Sequence, residues 1–233
     1  MFRLNVNGWF CHLLEYVYSL PEPPPRKRTK PMEVICVGLP RCGTESLQHA
    51  LLRLGYDHTC HGWDIVLEDP NYCQQWVRLS RKKWFGPLDG ENNITAADFD
   101  ALIGNAVAVT DTASSVFAAE MIAAYPDAKV ILNQRKNIDD WHHSITNTIA
   151  RAEGHWPLFI LSCLSRECFW AWHSHFLGKP VPEGEPFPYA NAASGWKGKE
   201  ATEIKRFLSG ALQTLGVLGS IAAGVGAIVY IYL

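Results

Sequence analysis

Residues 38–44 read Gly-Leu-Pro-Arg-Cys-Gly-Thr: two glycines frame an arginine, and a threonine follows the second glycine. A tight turn that opens a helix gathers several backbone N–H groups at one place, because the first N–H groups of a helix have no acceptor within it. An anion fits there. Arg41 adds a planar fork of donors at the mouth of the turn, where it is expected to be exposed, and Thr44 and Ser46 add hydroxyls. Glu45 must point away, since its charge has the sign of the ligand. Loops that hydrolyse nucleotides need a lysine directly after the second glycine. Gly43 is followed by Thr44 and Glu45, so that motif is incomplete.

Two further residues have the chemistry to move protons. Asp111 ends an apolar run, Ala-Val-Ala-Val-Thr-Asp at residues 106–111, and so falls where open α/β sheets bind their ligands. There it can cap the next helix through the Thr112 or Ala113 amide, act as an acid or base, or do both. His61 is the second candidate, with His58 behind it. A histidine beside a carboxylate exchanges protons near neutral pH, whereas an isolated one is a hydrogen-bonded structural group. The run His58-Thr-Cys-His61 has no matching distant pair of ligands, so no metal is expected.

The elements that must position these groups follow from periodicity. Apolar runs at residues 34–38, 106–111 and 129–134 have the length and β-branched content of buried parallel strands. Each precedes a helical pattern, as in a doubly wound α/β sheet. Leu47, Ala50, Leu51 and Leu54 form one stripe, closed by Gly55. Phe117, Met121 and Ile122 form a second, and Ile138, Trp141, Ile145 and Ile149 a third. Residues 64–83 and 97–103 are weaker helical segments. Residues 156–178 are dense in aromatics and supply helix that covers the sheet or lines a cavity. The proline-rich residues 179–188 cross the surface, and a further helix begins near Lys197.

Size and charge narrow the classes. A chain of 233 residues, 48% hydrophobic and 19% charged, fills one α/β domain, and its net charge of -2 gives no sign of a nucleic-acid binder acting through bulk electrostatics. Residues 1–20 read as an amphipathic helix or arm without a signal-peptide cleavage site. The basic run at residues 26–30 follows a proline cluster and reads as a solvated linker. Seven cysteines with no Cys-x-x-Cys pair fit a reducing, intracellular compartment. From Phe207 onward there is no charged residue, and the last 19 residues suffice, just, to cross a bilayer. Gly216, Ser220 and Gly224 lie four apart, with Tyr230 and Tyr232 near the end. The expected organisation is an arm and linker at residues 1–30, an α/β domain at 31–208, and a hydrophobic helix at 209–233 that associates with a membrane, the domain facing the cytosol.

The segments GLPRCGTESLQHALLRLGY, DHTCHGW, AVTDTASSVFAAEMIAAYPDAKVILNQRKNIDDWHHSI and FLGKPVPEGEPFPYAN together resemble the fungal branch of the sulfotransferase-like P-loop proteins, over residues 33–195. The resemblance implies a doubly wound parallel sheet of that type. It also implies sites for the two ends of 3′-phosphoadenylyl sulfate (PAPS). Pro40, Arg41, Cys42, Gly43, Thr44, Glu45 and Ser46 would hold the 5′-phosphosulfate, and Arg135 with Ser144 the 3′-phosphate. His61 falls on a histidine-containing segment of the family.

The sequence departs from the family in three ways, one being that the gap from Arg135 to Ser144 is one residue longer than in many relatives. Arg41 replaces the lysine that assists sulfuryl transfer, and only residues 145–175 fill an interval where the family has a further helix and strand. Arginine clamps an anion but does not readily give up a proton. The expected function is therefore a tailoring enzyme of fungal secondary metabolism that uses no PAPS. Arg41 would stabilise an oxyanion while Asp111 and His61 move protons, closing a hydrophobic polyketide-like substrate to a lactone or pyrone. The alternatives are a PAPS-dependent sulfotransferase acting on a hydrophobic alcohol or phenol, and a membrane-anchored binding protein without turnover.

Overall fold

The computed structural model describes residues 8–67, 70–86, 94–151, 156–176 and 196–232. The proline-rich crossing at residues 179–188 lies outside them. The described residues fall into two compact units, one from Leu20–Ala152 and His173–Ala192, the other from Met1–Ser19, Glu153–Trp172 and Ala193–Leu233.

The first unit is an α/β fold around a parallel sheet. Strands β1 (Val34–Cys36), β2 (Thr59–Cys60), β3 (Ala108–Val109) and β4 (Lys129–Ile131) lie in the order β2-β3-β1-β4. Val34 and Ile35 pair with Ala108 and Val109 on one side and with Lys129 and Val130 on the other. Thr59 and Cys60 pair with Ala108 and Val109. All pairings are parallel, so every strand ends at the same edge, and β1, flanked on both sides, delivers the glycine turn to that edge. Residues 34–36 are buried throughout, as the apolar run requires. β2 was not foreseen, because two residues, Thr59 and Cys60, carry no periodic signal. β4 is not a buried strand: it forms the edge of the sheet, with Val130 47% and Leu132 60% exposed.

Helix α2 (Thr44–Arg53) starts directly after Gly43 and lays Leu51 on Val34, Cys36 and Ala108, with Leu47 alongside. Gly55 adopts φ +91 just past its end, the left-handed conformation that terminates helices. The expected segment at residues 64–83 divides into α3 (Gly62–Leu67) and α4 (Cys73–Phe85), with a 3-10 turn at Pro70–Tyr72 between them. Helix α5 (Ala96–Ile103) opens with Thr95 donating its N–H to Asp98 Oδ2 at 2.8 Å.

The helix expected after β3 is broken into α6 (Thr112–Val116) and α7 (Ala118–Ala124) at Phe117. Phe117 is buried against Trp76 and Phe99, and Lys83 Nζ donates to the Val116 carbonyl freed by the break, at 2.7 Å. Ile122, expected on the buried stripe, is exposed. Helix α8 (Ile138–Ile145) turns Ile138, Trp141 and Ile145 toward Cys42, as its stripe predicts.

The basic run is not a solvated linker. Arg26 donates to Leu102 O at 2.8 Å and stacks over Tyr72. Arg28 donates to Asp100, to Ala106 O at 2.6 Å and to Ile103 O at 3.2 Å. The Leu102 and Ile103 carbonyls lie at the end of α5, where a helix lacks its own donors and its dipole favours a cation, and Ala106 O lies three residues beyond it. Gly104 lets the strap pass, since a Cβ there would meet the backbone of Lys27 and Arg28.

In the second unit, α1 (Trp9–Val17), α9 (Trp156–Leu164), α10 (Arg166–Phe176, as far as Trp172) and α11 (Trp196–Tyr232) are helical. The aromatic segment forms part of this unit's interior. Phe169 and Trp170 are buried, Trp170 Nε1 donates to Tyr18 O at 2.7 Å, and Tyr18 Oη donates to Cys163 O at 2.6 Å. Trp156 is exposed. Helix α11 is continuous through residues 208 and 209. Its stretch Glu203–Val225 is 23 residues long and contains an 18-residue window of mean hydropathy 1.5 that is 6% buried, long and apolar enough to cross a membrane.

Replacing Arg28 by alanine leaves Asp100 and the Ala106 and Ile103 carbonyls short of a donor. It should lower stability by about 2–3 kcal/mol, with Arg28→Lys recovering less than half, since one ammonium cannot reach the same acceptors. Urea unfolding followed by circular dichroism measures this, and an unchanged midpoint for Arg28→Ala would show that the strap bears no load.

Candidate functional site

The glycine turn leaves β1 at the carboxyl edge of the sheet and is held from the β4–α8 side. Trp141 Nε1 donates to Pro40 O at 2.9 Å, and Asn133 Nδ2 donates to Cys42 O at 3.1 Å. Gly38 is required at the start of the turn, because a Cβ would collide with the Asn133 side chain and carbonyl. Cys42 is buried against Trp141, and burial raises its thiol pKa above the ordinary value. Arg41 at φ 69 and Gly43 at φ 80 are both left-handed, which Gly43 accepts and Arg41 does not favour. With its carbonyls tied down on one side, the turn leads into α2, whose first N–H groups have no intrahelical acceptor.

Arg41 is half-buried, not exposed as expected. Its Nε donates to Ser144 Oγ at 3.1 Å. Burial, and after it the charge of Arg135, lower its pKa from the usual arginine value, while Asp111 and Glu45 act in the opposite direction. Arg135 is buried and donates to Asp140 O at 3.0 Å. Thus Arg41, Arg135 and Ser144, chosen as ligands of two ends of one cofactor, sit within one electrostatic neighbourhood. Glu45 is half-buried and Ser46 exposed on the first turn of α2.

Thr44 departs from expectation most. Its side chain is buried, and its hydroxyl donates to Asp111 Oδ1 at 3.0 Å, with His61 Nε2 3.2 Å from Thr44 Oγ1 itself. Asp111 Oδ2 accepts from Thr112 Oγ1 at 3.3 Å and lies 3.8 Å from His61 Nε2. The three residues, from the start of α2 and from the segments that follow β2 and β3, therefore converge at 5%, 3% and 8% exposure.

Asp111 makes no side-chain cap to α6, against one of the two roles expected for it. Its backbone stands at φ 71, ψ -144, a region close to glycine-only territory. That conformation carries the carboxylate toward Thr44 instead of the amides.

His61 is fixed by the start of α3. Its backbone N–H donates to Asp64 Oδ2 at 2.7 Å, and its Nδ1 accepts from Trp63 N at 3.1 Å. Gln48 of α2 binds the same Asp64 oxygen at 2.7 Å and Thr59 O at 2.9 Å, tying α2 to β2. A capping residue followed three positions later by an acid is a helix-start signal, and His61 with Asp64 could have been found by it. Gly62, Trp63 and Asn133 gave no such signal, since they act through a missing Cβ, a backbone N–H and a carbonyl clamp. His58 contributes its carbonyl to the Val107 N–H, and His142 and His143 are exposed on α8. Among the described residues no three His, Cys, Asp or Glu side chains converge as metal ligands, and none of the seven cysteines forms a disulfide.

A Cβ at residue 62 would collide with Asp111 Oδ2. Gly62→Ala should therefore cost about 1–3 kcal/mol, the usual penalty of overpacking. In an Asp111→Gly background the same change should be nearly neutral. A double-mutant cycle of urea midpoints measures the coupling, and equal costs in the two backgrounds would exclude the contact.

The sulfotransferase domain family matches residues 33–175. The Ava biosynthesis cluster protein M of Aspergillus versicolor is 35% identical over 139 residues, which are 58% of this chain and 50% of that protein. The chain thus spans about half the length of this relative. The family match begins one residue before β1, takes in the glycine turn, the β3–α6 corner and α8, and extends over more than half of the sequence; the chain belongs to the sulfotransferase domain family.

Proposed function

We propose that the chain is a tailoring enzyme of fungal secondary metabolism that closes a hydrophobic polyketide-like acid to a lactone or pyrone by acid–base chemistry, without PAPS. The observation that carries this reading is the direction of Thr44. The hydroxyl that would serve an anion in the turn is instead bound to Asp111, beside His61. The fungal biosynthesis-cluster relative supports the metabolic setting.

In this reading Asp111 takes the proton of an enol or hydroxyl oxygen as that oxygen adds to the carboxyl carbon. Arg41 and the first N–H groups of α2 stabilise the oxyanion. Asp111 then returns the proton to the departing hydroxyl, so the linear acid gives the ring and water. Helix α11 anchors the chain at an intracellular membrane, where an apolar acid partitions.

A second reading, PAPS-dependent sulfation of a hydrophobic alcohol or phenol, is favoured by the Arg41–Ser144 contact and by the family. The donors present suit the anionic ends of PAPS: Arg41 with the start of α2 for the 5′ end, Arg135 and Ser144 for the 3′-phosphate. When bound, PAPS supplies the sulfuryl group. Asp111 would take the proton of the acceptor hydroxyl.

Calorimetric titration with adenosine 3′,5′-bisphosphate separates the two. The first reading expects no heat of binding at millimolar ligand, and tight binding would establish the second. Both need the charge of Arg41. Arg41→Ala should lower turnover by about 100- to 1000-fold, as for the loss of one preorganised oxyanion donor, while Arg41→Lys recovers part. Because Arg41 is half-buried and bonded to Ser144, the alanine variant should also lose about 1 kcal/mol of stability. Turnover of Arg41→Ala within about twofold of wild type would leave no role of this kind for Arg41 and would favour a binding protein without turnover.

A further inference from the structure

We infer that His61 and Thr44 are positioning residues in a one-way hydrogen-bond chain, and that Asp111 Oδ2, not the imidazole, is the atom that accepts the substrate proton. The inference rests on the acid–base reading of the same site and settles which of its two candidate bases acts.

The direction is set independently from both ends. At one end the Trp63 backbone N–H can only donate, so His61 Nδ1 accepts, and a ring with one proton carries it on Nε2. At the other end an ionised carboxylate can only accept, so the single hydrogen of Thr44 goes to Asp111 Oδ1. Between them, His61 Nε2–H meets Thr44 Oγ1 at 3.2 Å, and the threonine oxygen is left to accept. The two ends demand the same polarity, and every donor in the chain meets an acceptor.

Two consequences follow. For His61 to take a proton, Nδ1 would have to become a donor facing the Trp63 N–H, two donors against each other in a buried place. The ring therefore cannot serve as base without breaking the start of α3. Asp111 Oδ1 is engaged by Thr44, while Oδ2 has only longer contacts, 3.3 Å to Thr112 Oγ1 and 3.8 Å to His61 Nε2. Oδ2 is the oxygen with capacity left for a proton. His61 acts through Thr44 by holding its hydrogen toward Oδ1.

The test uses the full-length chain in detergent micelles with 15N-labelled histidine, the His61 signals being assigned by their loss in His61→Gln. The long-range 1H–15N pattern should show the Nε2–H tautomer in the wild type and in Thr44→Ser. In the cyclisation assay Thr44→Val should lower kcat on the order of tenfold to a hundredfold, as for a lost hydrogen bond to a charged group, with KM little changed. Thr44→Ser should restore most of it. An Nδ1–H pattern, a doubly protonated ring at neutral pH, or wild-type kcat in Thr44→Val would overturn the inference. Because the tautomer is read without turnover, an Nε2–H pattern in a chain that closes no ring supports the direction of the chain and overturns the reaction proposed above together with the part of Asp111 Oδ2 in it.

Discussion

The hydrogen bond from Thr44 to Asp111 joins the first residue of α2 to the end of β3, and the site depends on it. It is buried, so neither partner can exchange it for water. An Asp111 carboxylate without the Thr44 hydroxyl would leave a charge short of a donor in a buried place, at a cost of about 1.5–3 kcal/mol, that of a lost hydrogen bond to a charged group. Neighbouring features accommodate this bond. Asp111 adopts a backbone conformation that costs about 1–3 kcal/mol in itself, Gly62 leaves out the Cβ that would fill the carboxylate's place, and Thr112 supplies a second donor. Strain at a buried acid, held by dedicated partners, persists only where the surrounding packing over-determines it. Here Leu51 on β1 and Ser114, whose hydroxyl donates to Cys36 O at 2.6 Å, fix α2 and α6 on the sheet.

The same logic explains the other face of the turn. Trp141 and Asn133 take its carbonyls, Ile138 and Ile145 pack beside Cys42, and Arg41 is drawn into the space next to Ser144. Two guanidinium groups, Arg41 and Arg135, influence each other there. Their repulsion is offset for Arg41 by Asp111 and Glu45. Positive and negative groups thus share one small volume at the carboxyl edge of the sheet, the arrangement that either anion binding or proton transfer needs.

Much of the fold was legible because its strongest signals are local. The run at residues 34–36, the helix from Thr44 with Gly55 beyond it, and the α8 stripe follow from periodicity and termination alone. What escaped depends on partners distant in sequence. Arg28 looked like a member of a charge run, and only its bond to the Ile103 carbonyl at the end of α5 reveals it as a helix cap. Residues 129–131 have the composition of a buried strand, but strand order places them at an edge. At the site, Arg41, His61 and Asp111 could be singled out as candidates by residue type. The orientation of Thr44 and the capping failure of Asp111 could not, since both follow from one backbone torsion at residue 111.

The central claim is that Asp111, held by Thr44 and His61, performs acid–base chemistry in the absence of a nucleotide, and its most direct measurement is ring closure by the chain freed of nucleotide. A linear, hydrophobic polyketide acid should be converted to its lactone or pyrone by the wild type, and Asp111→Asn should lose at least about 100-fold of that rate, as expected when a general base is removed. Closure no faster than in buffer, or an asparagine variant as active as the wild type, would contradict the account.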